Sequence, residues 1–329
     1  MSDIKDKLAS LLARHDVVTG KEWRRRLEEI AQRRAAGEFE IDKIVPGTLI
    51  ETGHTPFYLV QTKTPLTSGH GNTTLDCIQT VIPEHLAIAA CDADLEEWHA
   101  EKAVFLDVET TGLAGGTGTV AFLVGLGYME EGTFCVDQCF MRDFDDEPGM
   151  LEYVCERLKP TEILLTYNGK SFDVPLLHAR FIQNRLRAPL DRARHIDLLH
   201  AVRRIWKMRL ADCSLGNVER EILGLTRHGD IPSEEIPEIW LEYVRTRDAR
   251  KLDRVFYHHR MDIVSLVTLT AHLSRSIGLA QESGLEHGKD QLSLVRLLFR
   301  QRAYPQVVET GKRLLETQPE APIRGACME

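Results

Sequence analysis

Two carboxylates occupy alternating positions at the end of an apolar stretch, in the segment 104–112. The apolar residues predict a buried β-strand, and because side chains alternate between the faces of a strand, Asp107 and Glu109 should share one face. Two such charges about 4 Å apart repel each other by on the order of 4 kcal/mol at an effective dielectric of about 20. A divalent cation compensates this repulsion, so the pair predicts a metal site at the exposed strand end. A solvated strand end with incidental acids is the alternative.

A third acidic residue follows a second predicted strand. Residues 163–165 are apolar and continue a predicted strand to residue 167, Asn168 and Gly169 are typical of a turn, and Pro175 is typical of the first turn of a helix. Asp173 is therefore expected at a helix N-terminus, beside the end of this strand. Simple helix capping is the alternative explanation of its position.

A fourth acidic residue, Asp262, lies in a segment that predicts a long helix over about 249–275. Residues at i and i+4 share a helix face, so His258 and Asp262 should project together. A carboxylate that holds a metal and an imidazole that takes a proton from water form a usable catalytic pair. A surface helix that carries a His–Asp pair is the alternative.

The overall composition is that of an ordinary globular protein, with 43% hydrophobic and 28% charged residues in 329. No apolar run approaches the roughly 18 residues of a membrane span, and the charged N-terminus lacks the long apolar core of a signal peptide. We therefore expect a cytoplasmic protein without membrane contact. The net charge of −9 provides no global attraction for nucleic acid.

Arginine and lysine are concentrated in the segment 180–209, where only Asp191 and Asp197 oppose them. Beside a carboxylate cluster, such a segment could follow the phosphates of a nucleic acid. A solvated face is the alternative. The candidate substrate contacts are Thr110, Asn168, Lys170, Arg185 and Arg187.

The chain divides by pattern into three regions. Residues 1–100 predict an α+β extension with two helices, broken near residues 19–20, and an irregular β-rich segment. Residues 101–275 begin with two antiparallel hairpins and then alternate strands and helices. Residues 276–329 predict a helical tail whose two short helices, over 289–318, resemble a tetratricopeptide unit. A single unit cannot bury its own apolar face, so the tail should pack on the domain or on a protein partner.

Gly116, Gly118 and Ala121 follow the first strand with the spacing of a dinucleotide-binding fingerprint. That fingerprint requires a helix after the glycines, whose N-terminus binds the pyrophosphate. A β-type run follows instead, so we do not expect dinucleotide binding. The glycines rather predict a tight connection close to the acidic strand.

The order of the acidic residues resembles that of the DEDD 3′–5′ exonucleases of the ribonuclease H-like superfamily. Asp107 and Glu109 are followed by Asp173 about sixty residues later, and then by Asp262 with a ring-bearing residue four positions before it. Residues 214–219, 231–237 and 258–266 resemble the YprB-like bacterial branch, which often carries a tetratricopeptide tail. The resemblance covers about 101–275.

This resemblance implies an α/β protein of the ribonuclease H-like fold, with a central five-stranded mixed sheet flanked by helices. It implies that Asp107, Glu109, Asp173 and Asp262 bind two Mg²⁺ or Mn²⁺ ions. The activity implied is hydrolysis of phosphodiester bonds at single-stranded 3′ ends by a two-metal-ion mechanism. The all-oxygen ligand set suits these hard cations better than zinc.

The position of the general base departs from the family pattern. Well-studied branches place a tyrosine four residues before the last acidic residue, or a histidine five before it. This chain has His258 at four and Tyr257 at five. Helical spacing favours His258, and His259 and Tyr257 remain as alternatives.

A second class of function is a catalytically silent module that binds nucleic acid or protein through the same scaffold. Such a module has no need for an acidic cluster that is costly to maintain. The presence of all four acids therefore favours a nuclease, with DNA and RNA as alternative substrates and exonuclease and endonuclease action as alternative modes.

Overall fold

The computed structural model describes residues 20–112, 118–278 and 285–316. The strands are β1 (Thr48–Ile50), β2 (Phe57–Pro65), β3 (Gly69–His70), β4 (Thr73–Thr74), β5 (Ala103–Thr110), β6 (Ala121–Glu130), β7 (Thr133–Phe140), β8 (Ile163–Thr166) and β9 (Arg194–Asp197). The α-helices are α1 (Gly20–Ala35), α2 (Ile41–Ile44), α3 (Pro83–Ala90), α4 (Glu147–Leu158), α5 (Asp173–Gln183), α6 (Leu198–Trp206), α7 (Leu215–Val218), α8 (Ile236–Thr246), α9 (Leu252–Ile277), α10 (Gly288–Arg300) and α11 (Tyr304–Glu316).

The centre of the molecule is a mixed sheet of seven strands in the order β1-β2-β7-β6-β5-β8-β9. The pairs β5–β6 and β6–β7 are antiparallel, as the predicted hairpins require, and β5–β8 and β8–β9 are parallel. The predicted mixed sheet flanked by helices is confirmed. Residues 103–197 supply five of its strands, and the N-terminal β-rich segment adds two more because β2 pairs with the free edge of β7.

Helices cover both faces of the sheet, and each face has its own apolar core. The long helix α9 lies across β5, β6 and β7. Two glycines of β6 make this close packing possible, since a Cβ at Gly125 would lie 2.4 Å from the ring of His259 and one at Gly127 would lie 2.5 Å from Ile263. The helix that carries His258 and Asp262 is therefore held directly against β6, which pairs with β5, the strand that carries Asp107 and Glu109.

The region between α5 and α7 differs most from the sequence-based expectation. The predicted helix over 173–187 ends at Gln183, and β9 and α6 follow in the segment that was noted only for its charge. β9 has just four residues, of which only Ile196 and Asp197 are buried, so it shows no apolar run. The helix predicted over 212–223 is the short α7, continued by a π-helical turn over 219–223.

The C-terminal tail packs on the domain through α10, which contacts α6 and α3. Leu294, Leu297 and Leu298 are buried in this contact, and α11 packs on α10. The first of the two predicted N-terminal helices lies outside the described residues, and so do Gly116 and most of the loop before β6. None of the described helices is both long enough and apolar enough to cross a membrane.

Candidate active site

The end of β5 presents two carboxylates on one face. Asp107 and Glu109 are half-buried, whereas the alternating residues Leu106, Val108 and Thr110 are buried. The pairing with β6 shifts register between Glu109 and Thr110. Such a bulge bends the strand and redirects its side chains, and bulges of this kind are common beside active sites.

Helix α9 brings a histidine and a third carboxylate to this strand end. Nε2 of His258 lies 3.3 Å from Oδ2 of Asp262, one turn later on the same face. One ligand atom from each of Glu109, His258 and Asp262 lies within 4.8 Å of the other two. These three side chains could therefore share a single cation.

The fourth carboxylate, Asp173, is the first residue of α5 and is 5% exposed. Burial, followed by the charge of Asp197, raises its pKa to about 7. Burial also raises the pKa of Asp107 and of Glu109 well above the usual range, and the charges of Asp262 and Asp173 add to this in both cases. The charges of Asp262 and Asp173 thus act on both Asp107 and Glu109, whereas the charge that acts on Asp173 is that of Asp197.

A buried carboxylate shapes the turn that leads to Asp173. Oδ1 of Asp197 accepts hydrogen bonds from the backbone N–H groups of Asn168, at 2.9 Å, and Leu199, at 3.1 Å. Its Oδ2 accepts one from the N–H of Lys170 at 3.1 Å. Asn168 adopts a left-handed backbone with φ of 67°. Asn168 and Lys170 therefore use their amides to fix the turn and leave their side chains exposed.

The other three candidate substrate contacts are placed differently. The hydroxyl of Thr110 donates to the carbonyl of Gly112 at 3.0 Å. Arg185 and Arg187 are exposed in the segment that follows α5. Asp173 is at the opposite end of that helix, whose 11 residues extend about 16 Å. A role for these arginines in substrate binding stays a prediction.

An arginine that sequence reasoning did not single out lies within the acidic cluster. The guanidinium of Arg227 contacts Glu219 and Oδ1 of Asp262, and its Nη1 donates to Oδ2 of Asp230 at 3.3 Å. The Arg227 side chain is only 8% exposed. Burial raises the pKa of Glu219 and the guanidinium opposes that effect. Arg227 therefore compensates the charge of Asp262. Among the residues that the structure describes, no arginine or lysine pairs with Asp107 or Asp173, and Nε2 of His259 lies 3.8 Å from Oδ2 of Asp107.

The three candidates for the general base have distinct surroundings. His258 faces Asp262, and its Nδ1 lies 2.8 Å from Oδ1 of Asp230. His259 is fully buried beneath β5, where its Nε2 lies 3.1 Å from the carbonyl oxygen of Asp107. Burial lowers the pKa of His259 to about 4, so this ring is neutral. Tyr257 lines a separate cavity of about 440 Å³.

A cavity of about 470 Å³ opens beside the acidic residues. It is lined by the N-terminal end of α7, part of the segment 225–233, and the face of α9 that carries His258 and Asp262. Its other ionisable members are Glu219, Arg220, Arg227 and Asp230. A mixed lining of this kind can contact an anionic ligand through the arginines and orient it toward the carboxylates.

The family model of the RNase H superfamily matches residues 104–274, which is more than half of the chain. The chain belongs to the RNase H superfamily. The uncharacterized protein YprB of Bacillus subtilis (strain 168) is 33% identical over 220 residues, covering 67% of this chain and 53% of that protein. The chain thus spans about half the length of this curated relative. A family B DNA polymerase from the hyperthermophilic archaeon Pyrobaculum calidifontis has 11% identity and a TM-score of 0.40, covering 78% of this chain and 50% of the polymerase.

Within this RNase H superfamily domain, three charged residues were not anticipated as part of the site: Glu219, Arg227 and Asp230. Glu219 lies in a segment noted for its family resemblance, and Asp230 lies in a Gly/Pro-punctuated segment interpreted as a loop. The contact of Arg227 with Asp262 joins residues 35 apart in sequence. No periodicity links positions in an irregular connection to a later helix, so the sequence carries no local signal for these contacts.

Proposed function

We propose that this protein is a metal-dependent nuclease, a 3′–5′ exonuclease that hydrolyses phosphodiester bonds at the ends of single-stranded nucleic acid. The observation that carries the proposal is the convergence of Glu109, His258 and Asp262, with ligand atoms within 4.8 Å, on a strand that also presents Asp107. Membership of the RNase H superfamily supports a nuclease-like scaffold.

The donor set fits a pair of hard divalent cations. Carboxylate oxygens are the preferred ligands of Mg²⁺ and Mn²⁺, and Asp107, Glu109, Asp173 and Asp262 would hold the ions. The raised pKa values of Asp107 and Glu109 show that burial and like charges oppose ionisation there. A cation between these groups would relieve that opposition, as neighbouring positive charge favours ionised carboxylates.

His258 is the residue that this geometry favours as proton acceptor. With Nδ1–H donated to Asp230, the lone pair of Nε2 is directed toward the acidic cluster, where an attacking water would lie. Nε2 would take a proton from that water as its oxygen bonds to phosphorus and the bond from phosphorus to the departing 3′ oxygen breaks. Asp230 would stabilise the imidazolium that forms, and the departing oxygen would take a proton from solvent. When bound, the metal ions would stabilise the negative charge that develops on the attacking and leaving oxygens.

A catalytically silent binding module is the second candidate, and the ion pair of Arg227 with Asp262 favours it. A guanidinium on a carboxylate can neutralise an acidic cluster without a metal. The pair uses Oδ1 of Asp262, however, and Oδ2 faces His258 instead. Thermal unfolding with and without Mn²⁺ separates the two, because a ligand that binds only the folded state raises the midpoint.

The experiment that tests the nuclease is incubation with Mn²⁺ and DNA or RNA oligonucleotides labelled at the 5′ end. A 3′–5′ exonuclease produces a ladder that shortens one nucleotide at a time, whereas an endonuclease produces internal fragments from the start. Asp107→Ala should abolish cleavage by several orders of magnitude and retain the fold. Glu238→Gln, at an exposed carboxylate of α8, is the matched control. Unchanged cleavage by Asp107→Ala would show that the carboxylate cluster is not the active site.

A further inference from the structure

A groove of about 570 Å³ lies between α6 and α10, and it shares no lining residue with the cavity beside the carboxylates. The residues that line it are His200, Arg203, Arg204, Lys207, Met208, Ser293, Arg296 and Arg300. The lining therefore contains five permanent cations and no carboxylate. It combines a helix of the catalytic domain with the first helix of the C-terminal tail.

Helical spacing explains why the cations face one another across this groove. Along α6 and its C-cap the lining residues recur at i, i+3, i+4 and i+7, from His200 to Lys207. Along α10, Arg296 and Arg300 follow Ser293 at i+3 and i+7. The opposite faces of the helices are apolar: Val202 and Ile205 on α6 and Leu297 on α10 are buried. Packing of the apolar faces thus holds the two cationic faces beside each other.

Within residues 20–112, 118–278 and 285–316, no carboxylate forms an ion pair with Arg203, Arg204, Lys207, Arg296 or Arg300. The guanidinium of Arg204 donates to the carbonyl of Ala89 at 3.1 Å, and that of Arg296 contacts the sulfur of Met208 at 3.7 Å.

Other basic residues of the same stretch are paired instead. Arg194 contacts Asp92 at 2.7 Å, Arg209 contacts Asp290 at 2.7 Å, and Arg180 contacts Glu147 at 2.6 Å. Some basic residues of the stretch 180–209 therefore form structural ion pairs, whereas those that line the groove have no carboxylate partner in the part of the chain that the structure describes. In a chain of net charge −9, like cations held together without counter-charge indicate a surface kept for an anionic ligand.

One end of the groove lies near the turn that leads to Asp173. α6 begins directly after Asp197, whose carboxylate fixes the turn that leads to Asp173. Nε2 of His200, the first groove residue, lies 3.8 Å from Oδ2 of Asp197. From there, His200 to Lys207 extends about 10 Å along α6. The His200 end of the groove is therefore the end nearer to Asp173.

We propose that the groove binds the phosphate backbone of a single strand of nucleic acid upstream of the nucleotide that is cleaved. The proposal rests on the nuclease function proposed above and assigns the substrate path to it. The tail supplies Arg296 and Arg300, so it forms one wall of the substrate channel. A narrow cationic groove that follows a backbone is the usual way in which single strands are bound without sequence preference.

The test is the salt dependence of binding in EDTA, where no metal-dependent cleavage occurs. Fluorescence anisotropy of a labelled single-stranded oligonucleotide gives the affinity of wild type, of Arg296→Ala/Arg300→Ala, and of Arg24→Ala/Arg25→Ala. The control pair removes the same charge from exposed positions on α1. Each lost phosphate contact lowers the slope of log affinity against log salt by about 0.7. We expect a reduction of up to about 1.4 for the groove variant, weaker binding, and wild-type behaviour for the control.

A second measurement separates failure of this proposal from failure of the nuclease. With Mn²⁺ present, the groove variant should cleave a dinucleotide at the wild-type rate and a long oligonucleotide more slowly. Groove-dependent binding without any cleavage would overturn the nuclease and support the groove. Normal cleavage with an unaltered salt slope in the groove variant would overturn the groove and support the nuclease. An acidic peptide whose binding responds to the variant, when oligonucleotide binding does not, would assign the groove to a protein partner and overturn the proposal.

Discussion

The carboxylate of Asp230 lies 2.8 Å from Nδ1 of His258, on the side of the ring opposite to Asp262. Burial alone would raise the pKa of Asp230, but the hydrogen bond with His258 and the N–H of Ile231 lower it below its usual range. An ionised Asp230 therefore favours the tautomer with the proton on Nδ1 and leaves Nε2 as the acceptor. Such a partner orients the imidazole and increases its basicity.

Asp230→Asn should lower kcat by about 10- to 100-fold, the usual effect of removing such an orienting carboxylate. Asparagine cannot stabilise the imidazolium that forms in the reaction, so the acidic limb of the pH–rate profile should move to lower pH. Steady-state kinetics across pH measures both effects. Asp253→Asn, at an exposed carboxylate of α9, the helix that carries His258, is the control. A purely structural role for Asp230 predicts no displacement of the acidic limb.

His258→Ala should reduce turnover by roughly a hundred- to ten-thousandfold, as expected for loss of a general base. Mn²⁺ affinity, measured by calorimetry, should change little if His258 only accepts a proton. One ring nitrogen of His258 lies close enough to carboxylate oxygens of Glu109 and Asp262 to share a metal ion with them. A large loss of Mn²⁺ affinity in this variant would therefore show that the histidine is a metal ligand and contradict its assignment as the base.

His259→Ala should act through stability. The ring is fully buried between Asp107 and Gln138, with its Nδ1 at 3.1 Å from the amide nitrogen of Gln138. Removal of a large buried side chain typically lowers the free energy of unfolding by about 2–5 kcal/mol, and urea denaturation measures it. Any loss of turnover should then follow the loss of folded protein. An inactive but fully stable His259→Ala variant would transfer the catalytic role to His259.

The features of the site that could be predicted from sequence are those governed by local periodicity. The period of a strand predicts that Asp107 and Glu109 share one face, as they do in β5. The period of a helix predicts that His258 and Asp262 share one face, and in the structure Nε2 of His258 lies 3.3 Å from Oδ2 of Asp262. The contacts of Arg227 and Asp230 could not be predicted, since they join an irregular connection to a helix about 30 residues later. The two additional strands also depend on a long-range pairing, in which Tyr58 of β2 lies opposite Phe140 of β7.

Arg227→Met should destabilise the metal-free protein by about 3–5 kcal/mol, because it leaves the buried carboxylate of Glu219 without its cation. The double variant Arg227→Met/Glu219→Gln should recover much of this loss, since it removes both charges. Mn²⁺ should also reduce the deficit of the single variant by binding the released Asp262. Chemical denaturation of wild type, Arg227→Met, Glu219→Gln and the double variant, each with and without Mn²⁺, completes the double-mutant cycle. Strict additivity would show that the Arg227–Glu219 contact contributes nothing.

The stability of the protein should fall in mild acid partly because of His70. This side chain is 5% exposed, and its Nε2 lies 2.8 Å from the hydroxyl of Ser265. Burial, followed by the charge of Arg227, lowers its pKa from 6.5 to about 4. Between these two values the unfolded chain binds more protons than the folded protein, so the free energy of unfolding rises with pH across this window. The stabilisation is fully present above pH 6.5 and is lost as pH falls toward 4.

His70→Gln should remove this contribution while an amide can retain the hydrogen bond with Ser265. The difference in unfolding free energy between wild type and variant should therefore change by up to about 3 kcal/mol from pH 7 to pH 4, at about 1.4 kcal/mol per unit of pKa shift. Urea denaturation at several pH values measures the difference directly and cancels the contributions of other titrating groups that both proteins share. Parallel stability curves for the two proteins over this range would show that His70 titrates alike in the folded and unfolded states.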